Sequence, residues 1–258
     1  MQRQSVNGLV FYRFNSLGGF DGLVQAVFTR LGGVSRPPFD SLNVGHTVGD
    51  DLEAVEANHR LIFRTLGISP HQTVTSYLVH STRVAVVDKL HLGKVIPATD
   101  GLVTNVPGVF LILRFADCVP IILYDPEERA VGLIHAGWKG SILGIAAEAV
   151  RTMVQAFGSH PEDIVAGIGP SIGPCCYEVG EEVVELAQEH LASPPLVKGS
   201  NGAVHLDLWE LNRRYLAEAG VKQVEVAQIC TACHRDEFFS HRASRGRTGR
   251  FAVIVGIR

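Results

Sequence analysis

Apolar residues in this chain gather in short dense runs and in a few longer stretches with helical spacing. Residues 8–13 and 23–29 read as strands, and residues 73–79 as a strand leading into His80. The segment VFLILRFADCVPIILYDPEERAVGLIHAG reads as three short buried strands, with Asp125-Pro126-Glu127-Glu128 as the turn between the last two. DIVAGIG, 224–229 and 251–257 complete the strand set. Helical spacing runs near 51–66, where Leu52, Val55, Ile62 and Leu66 stand among charged residues and Asp50 or Asp51 is placed to cap. It returns from Lys139 to Phe157, stopping at Gly158, and again near 179–191 and 207–219. Strands both pair locally and alternate with helices. This predicts a mixed α/β fold, two sheets with helices outside.

Between the second strand and the first helix lies TRLGGVSRPPFDSLNVGHTVGDD, a long loop rich in Gly, Pro, Asn and Asp. Loops of this length without periodicity often carry function. No repeat and no Pro/Gly/Ser-rich linker divides the chain, and one large domain or two small ones fit its length.

Composition narrows the function classes. The chain is 46% hydrophobic and 19% charged over 258 residues, an ordinary globular profile. A formal net charge of −3 gives no ground for nucleic-acid or anionic-membrane binding. No basic segment precedes an apolar one at the N-terminus, and Asp, Arg or Gly interrupts every apolar stretch before about 18 residues. Neither a signal peptide nor a membrane span is expected. Five cysteines, an odd count with two near-adjacent pairs, make a poor disulfide framework and suit a reducing, cytoplasmic setting.

The candidate chemistry centres on three separated residues: His80 in YLVHSTR, Cys118 in ADCVP and His135 in HAGWKG. Each stands at or just after the end of a strand-like run. Two imidazoles and a thiolate suit a borderline-soft metal such as zinc, and three protein ligands leave an open catalytic position. Ala136, Gly137 and Gly140 around His135 would admit a substrate close to the backbone. The alternative is a metal-free dyad with Cys118 as nucleophile and one histidine as base. A second histidine beside the same cysteine favours metal.

Two further clusters have plainer readings. Cys230-Thr231-Ala232-Cys233 is a CxxC without two more ligands in motif form, so core packing near a strand end is the expected role. FFSHRASRGRTGR and its surroundings are the most basic stretch. Arg235, Arg242, Arg245, Arg247 and Arg250 suit a phosphate or carboxylate, or else a solvated loop. HPE followed by Pro174-Cys175 fails the zinc-deaminase pattern, because Glu178 stands where the second cysteine belongs. The glycines at 167, 169 and 173 do not make GxGxxG.

Taken together, TRLGGVS, SLNVGHTVGDD, the Val79-His80 pair, ADCVPIIL, HAGWKG, GPSIGPCCYEV and CTACHRDEFFSHR resemble the YfiH/laccase-domain family, formerly described as multicopper polyphenol oxidases. The segments span nearly the whole chain in order. The resemblance implies one catalytic domain over 1–258, an α/β/β/α layered sandwich related to the catalytic domain of cytotoxic necrotizing factor. It also implies zinc on His80, Cys118 and His135, and action on purine nucleosides. The implied reactions are phosphorolysis of adenosine, inosine, guanosine or methylthioadenosine, and deamination of adenosine. A related bacterial role is peptidoglycan-precursor editing. The chain departs from the family pattern at Phe115, where Thr is frequent, at Leu78-Val79-His80-Ser81, where QVHG is usual, and at His241 with its Arg-rich surroundings.

Phosphorolysis needs a phosphate site. Loop position and residue type make Arg30, Arg242 and Lys139 its candidates, and Asn43 a candidate for ribose or base. Two competing activities share the same trio: a Cys118/His135 hydrolase acting on a wall precursor, and a copper phenol oxidase. The chain has no His-x-His pair of the kind multicopper oxidases use, though copper outranks zinc in divalent affinity.

Overall fold

Residues along the central strands alternate between two different cores. In Phe110–Phe115, Leu111, Leu113 and Phe115 face one core while Phe110 and Ile112 face another. In Val119–Asp125, Ile122 and Tyr124 join the first of these, and Val119, Ile121 and Leu123 a third. Strands covered on both faces read as unbroken apolar runs, and this is why these segments lack polar alternation.

The computed structural model describes residues 1–199 and 202–258. One sheet has seven strands in the order Gln2–Val6, Leu9–Arg13, Leu23–Phe28, Phe251–Ile257, Phe110–Phe115, Thr73–Ser76 and Val95–Ile96. The other has six: Gln223–Val226, Val165–Ile168, Val119–Asp125, Ala130–Ala136, Gly101–Thr104 and Val84–Val86. The sheets pack face to face around Phe14, Leu113, Ile122, Leu133, Val253 and their neighbours. Helix α1 (Leu52–Leu66) covers the outer face of the first sheet through Ile62, Phe63 and Leu66. Helices α2 (Trp138–Ile142), α3 (Ile145–Phe157), α4 (Glu181–His190) and α5 (Leu208–Glu218) cover the second. The result is the expected mixed α/β fold with helices outside two sheets.

Capping follows the sequence. Asp51 accepts the Glu53 amide at the start of α1, and Asp207 accepts those of Trp209 and Glu210 at the start of α5. Two expected elements end differently. The helix expected from Lys139 to Phe157 breaks at Gly144, which has φ +82 and lies against the Tyr215 ring. Tyr215 Oη donates to the carbonyl of Ile142 at 2.8 Å, so a side chain caps the freed acceptor. The strand expected over 73–79 stops at Ser76, because His80 adopts φ +58 and the amides of residues 79–81 turn toward Asp100. Short strands at Gln2–Val6, Val84–Val86, Val95–Ile96 and Gly101–Thr104, and a hairpin of Leu196–Lys198 with Val204–Leu206, were not signalled by the pattern. Among the described residues, no helix is long and apolar enough to cross a membrane.

Candidate metal centre and its cavity

Three chain segments meet where the two sheets end. Ala116-Asp117-Cys118 is the crossing from Phe110–Phe115 in one sheet to Val119–Asp125 in the other. His135 is the penultimate residue of the neighbouring strand Ala130–Ala136. His80 arrives on the loop after Thr73–Ser76. One ligand atom from each of His80, Cys118 and His135 lies within 4.8 Å of the others, and the two imidazoles meet edge-on with centroids 5.0 Å apart. The trio grades from exposed His80 through half-buried Cys118 to buried His135.

Asp100 organises this centre. It is fully buried just before Gly101–Thr104. Its carboxylate accepts His135 Nδ1 at 3.0 Å, the amides of His80 and Ser81 at 3.0 and 2.8 Å, and Ser81 Oγ at 2.7 Å. Burial pushes this carboxyl up, but the hydrogen bonds from His135 and Ser81 outweigh it and hold the group down at about 2. With Nδ1 engaged, His135 presents Nε2 to the centre. A carboxylate behind a histidine in this way fixes its tautomer and ring orientation.

Burial pulls the His135 imidazole down, yet Cys118 and Asp100 pull it up further, to about 9. A sulfur and a carboxylate that favour a proton at this spot also suit a cation in its place. His80, exposed but partly desolvated, is pushed down by that desolvation and by His135, which suits a neutral ligand. Donor set, charge and the backing carboxylate therefore fit a metal held by two imidazoles and a thiolate, with the fourth direction open to the cavity.

That cavity holds about 490 Å³, within the range of small-molecule sites. Trp138, Ile172, Val179 and Val183 form its apolar wall. Burial pushes the Tyr177 phenol up, so it stays protonated and able to donate. Arg114, Arg242 and Arg250 also line the cavity. Arg242 stacks over the Tyr177 ring at 5.1 Å and donates to the Glu178 carbonyl at 2.7 Å. Arg114 is pushed down by burial and by neighbouring Arg250, and donates to the Ser76 carbonyl at 3.0 Å. Among the described residues, none of these three guanidinium groups is in an ion pair with a carboxylate. A smaller cavity of about 210 Å³, lined by the 45–48 loop, shares Leu78, Arg114 and Arg250 with the first.

The other sequence candidates lie elsewhere. Arg30 is bound to the Asp40 and Arg235 carbonyls, ion-paired to Asp40 and stacked over Phe239. Asn43 is fully buried and pins its own loop: Nδ2 donates to Asp50, and Oδ1 accepts the amides of Gly45 and Arg250. Lys139 is exposed on α2, outside the cavity lining. Of the residues named for substrate, Arg242 alone lines the cavity. Arg235, Arg245 and Arg247 are exposed, in keeping with a solvated loop. The expected packing role of the CxxC needs correction. Cys230 is buried but Cys233 is exposed, and both sulfurs stand beside Cys175 and Cys176. Asp100, Arg114 and Tyr177 were missed. A lone Arg inside VFLILRF, and an acid directly ahead of a wholly buried strand, were the available signals.

The profile of the family described as "Multi-copper polyphenol oxidoreductase laccase" matches residues 24–258. "Purine nucleoside phosphorylase YlmD" of Geobacillus stearothermophilus is 41% identical over 93% of this chain and 92% of its own length. "Purine nucleoside phosphorylase YfiH" of Escherichia coli K12 is 35% identical over 91% of this chain and 93% of its own. The crystal structure of YlmD from Geobacillus stearothermophilus superposes with a TM-score of 0.92 at 39% identity, covering 99% of this chain and 98% of that one. A Bacillus licheniformis protein titled hypothetical protein YfiH gives 0.91 at 36% identity, over 99% of both chains. With both sheets, the helices and nearly the full length shared, the chain belongs to the laccase-like YfiH/YlmD family.

Proposed function

We propose that this protein is a zinc-dependent purine nucleoside phosphorylase that also deaminates adenosine. The observation that carries this reading is the pairing of two features in one cavity. The cavity is lined both by the His80/Cys118/His135 trio and by Arg114, Arg242 and Arg250, none of them ion-paired to a carboxylate among the described residues. Three guanidinium groups gathered in one cavity repel one another unless an anion joins them. Inorganic phosphate fits that need, and the apolar wall with Trp138 suits a purine ring. Relatives named as purine nucleoside phosphorylases support the same reading.

His80, Cys118 and His135 would hold the zinc. When bound, zinc supplies Lewis-acid chemistry at a hard oxygen or nitrogen of the reactants. The protein's own groups do the remaining work. Asp100 keeps His135 in one tautomer. The three arginines bind and orient phosphate for attack at the ribose carbon that carries the base. Tyr177, held as a phenol, donates a hydrogen bond to a heteroatom that gains charge as the base departs.

An oxidase is the weaker reading. Among the described residues, the other cluster able to hold a metal consists of four thiols without an imidazole, unlike the histidine-rich cluster of a multicopper enzyme. The deciding experiment incubates metal-analysed protein with adenosine, with and without phosphate, and separates the products. Adenine formed only with phosphate reports phosphorolysis, and inosine formed without it reports deamination. Either activity is expected to vanish on chelation and return with zinc. A zinc-loaded protein that turns over neither way overturns the reading and directs attention to a wall-precursor hydrolase.

A further inference from the structure

Four of the five cysteines converge outside the cavity. Cys175 and Cys176 lie in the loop after Val165–Ile168, and Cys230 and Cys233 in the turn after Gln223–Val226. All four sulfurs lie within 4.8 Å of one another. Cys175 and Cys233 are 3.7 Å apart, and Cys176 and Cys233 3.4 Å. A tetrahedral site with Zn–S bonds of about 2.3 Å spaces its sulfurs about 3.8 Å apart, whereas a disulfide needs about 2.05 Å.

The backbone holds the two pairs in place independently of the sulfurs. Ser171 and Cys230 form a β-bridge, and the Thr231 amide donates to the Ser171 carbonyl at 3.0 Å. Gly173 lets the loops approach: a Cβ there would meet the Trp209 ring and the Cys230 Cβ. Its amide donates to Cys230 Sγ at 3.2 Å, and the amides of Ala232 and Cys233 face the same sulfur. Amides directed at a ligand sulfur fix its orientation, as hydrogen bonds to metal ligands do. Two of the four thiols are exposed, so hydrophobic packing does not explain the cluster.

We infer that Cys175, Cys176, Cys230 and Cys233 form a second, tetrathiolate zinc site with a structural role. Four protein ligands close the coordination sphere, as in structural and not catalytic zinc sites. The site clamps the cavity wall. Cys176 precedes Tyr177, and Thr231 Oγ1 donates to Asp117, the residue before Cys118, at 2.7 Å. The clamp thus joins the loop that carries the phenol to the crossing that carries the thiolate ligand.

The test is zinc content per chain in protein purified without chelator, for the wild type, Cys233→Ser and Cys175→Ser. Two zinc ions are expected in the wild type and one in each variant. A single zinc retained by both variants overturns the inference and leaves the His80/Cys118/His135 reading intact. A single zinc lost in both variants upholds it and overturns zinc at the other centre. Should the variants not fold, wild type alone decides. Denatured without reductant but with chelator, it must show all five thiols free, and its cobalt-substituted form must show the intense sulfur-to-cobalt charge transfer of several thiolates. Three free thiols, indicating a disulfide, or charge transfer from a single thiolate, overturns the site.

Discussion

Asp100 and His135 are joined at 3.0 Å, and the same carboxylate gathers the amides of His80 and Ser81. One buried acid therefore positions two of the three candidate ligands, one through its ring and the other through its backbone. Replacing Asp100 with Asn keeps the shape but removes the charge and leaves one end a donor facing donors. We expect zinc affinity to fall about 10–100-fold, as for other partners behind metal-bound histidines. Competition with a chromophoric chelator measures it, and unchanged affinity would show that Asp100 serves the fold alone.

Gly137 is the point of contact between the HAGWKG segment and His80. A Cβ on it would overlap His80 Nδ1, although its φ of −67 suits any residue. Gly137→Ala is therefore expected to displace His80 and reduce bound zinc while the unfolding temperature changes little. Zinc analysis beside thermal unfolding checks this. Full zinc in a stable variant would show that His80 is not a ligand.

Arg250 separates the two proposed reactions. Arg250→Met removes a cation from the cavity lining and changes none of the three candidate ligands. Charge-assisted hydrogen bonds contribute about 1.5–3 kcal/mol, so KM for phosphate should rise roughly 10–100-fold. Phosphate-independent deamination should stay within a few-fold of wild type, and Arg250→Lys should recover part of the loss. Equal loss of both activities would assign Arg250 a structural role at its Thr248 and Gly249 carbonyls.

His59, outside the cavity lining, gives the fold an acid sensitivity. Burial first, then the adjacent His46, push its imidazole down to about 4. Its ring stacks on His46 with centroids 5.0 Å apart, and Nε2 lies 3.2 Å from the Val44 carbonyl. The unfolded chain takes up this proton near the ordinary value of about 6.5. The folded chain resists it down to about 4. Stability from this group is therefore complete above about 6.5 and declines as pH falls toward 4. Denaturant unfolding at a series of pH values should show a shallower acid decline for His59→Gln than for wild type. Identical slopes would place the acid sensitivity in other groups.

The strands of both sheets that matter most were legible because burial on two faces leaves no polar alternation. The runs around 110–136 and 251–257 could hardly be anything else. The caps at Asp51 and Asp207 were equally readable, since a short acid before an apolar period is a local signal. His80, Cys118 and His135 stood out because each imidazole or thiol closes an apolar run.

The remaining features depend on contacts distant in sequence. Gly144 breaks a helix because Tyr215, some seventy residues on, caps it. Asn43 and Arg30 look like free loop polar groups, yet they bind segments near Arg250 and Arg235. The 175–176 and 230–233 cysteines look like separate pairs until a β-bridge at Ser171 brings them together. Sequence alone determined the local periods, the caps and the residue types able to hold a metal, because these depend on near neighbours. Tertiary structure alone decided which polar groups converge, because that depends on how two sheets and their crossing loops pack.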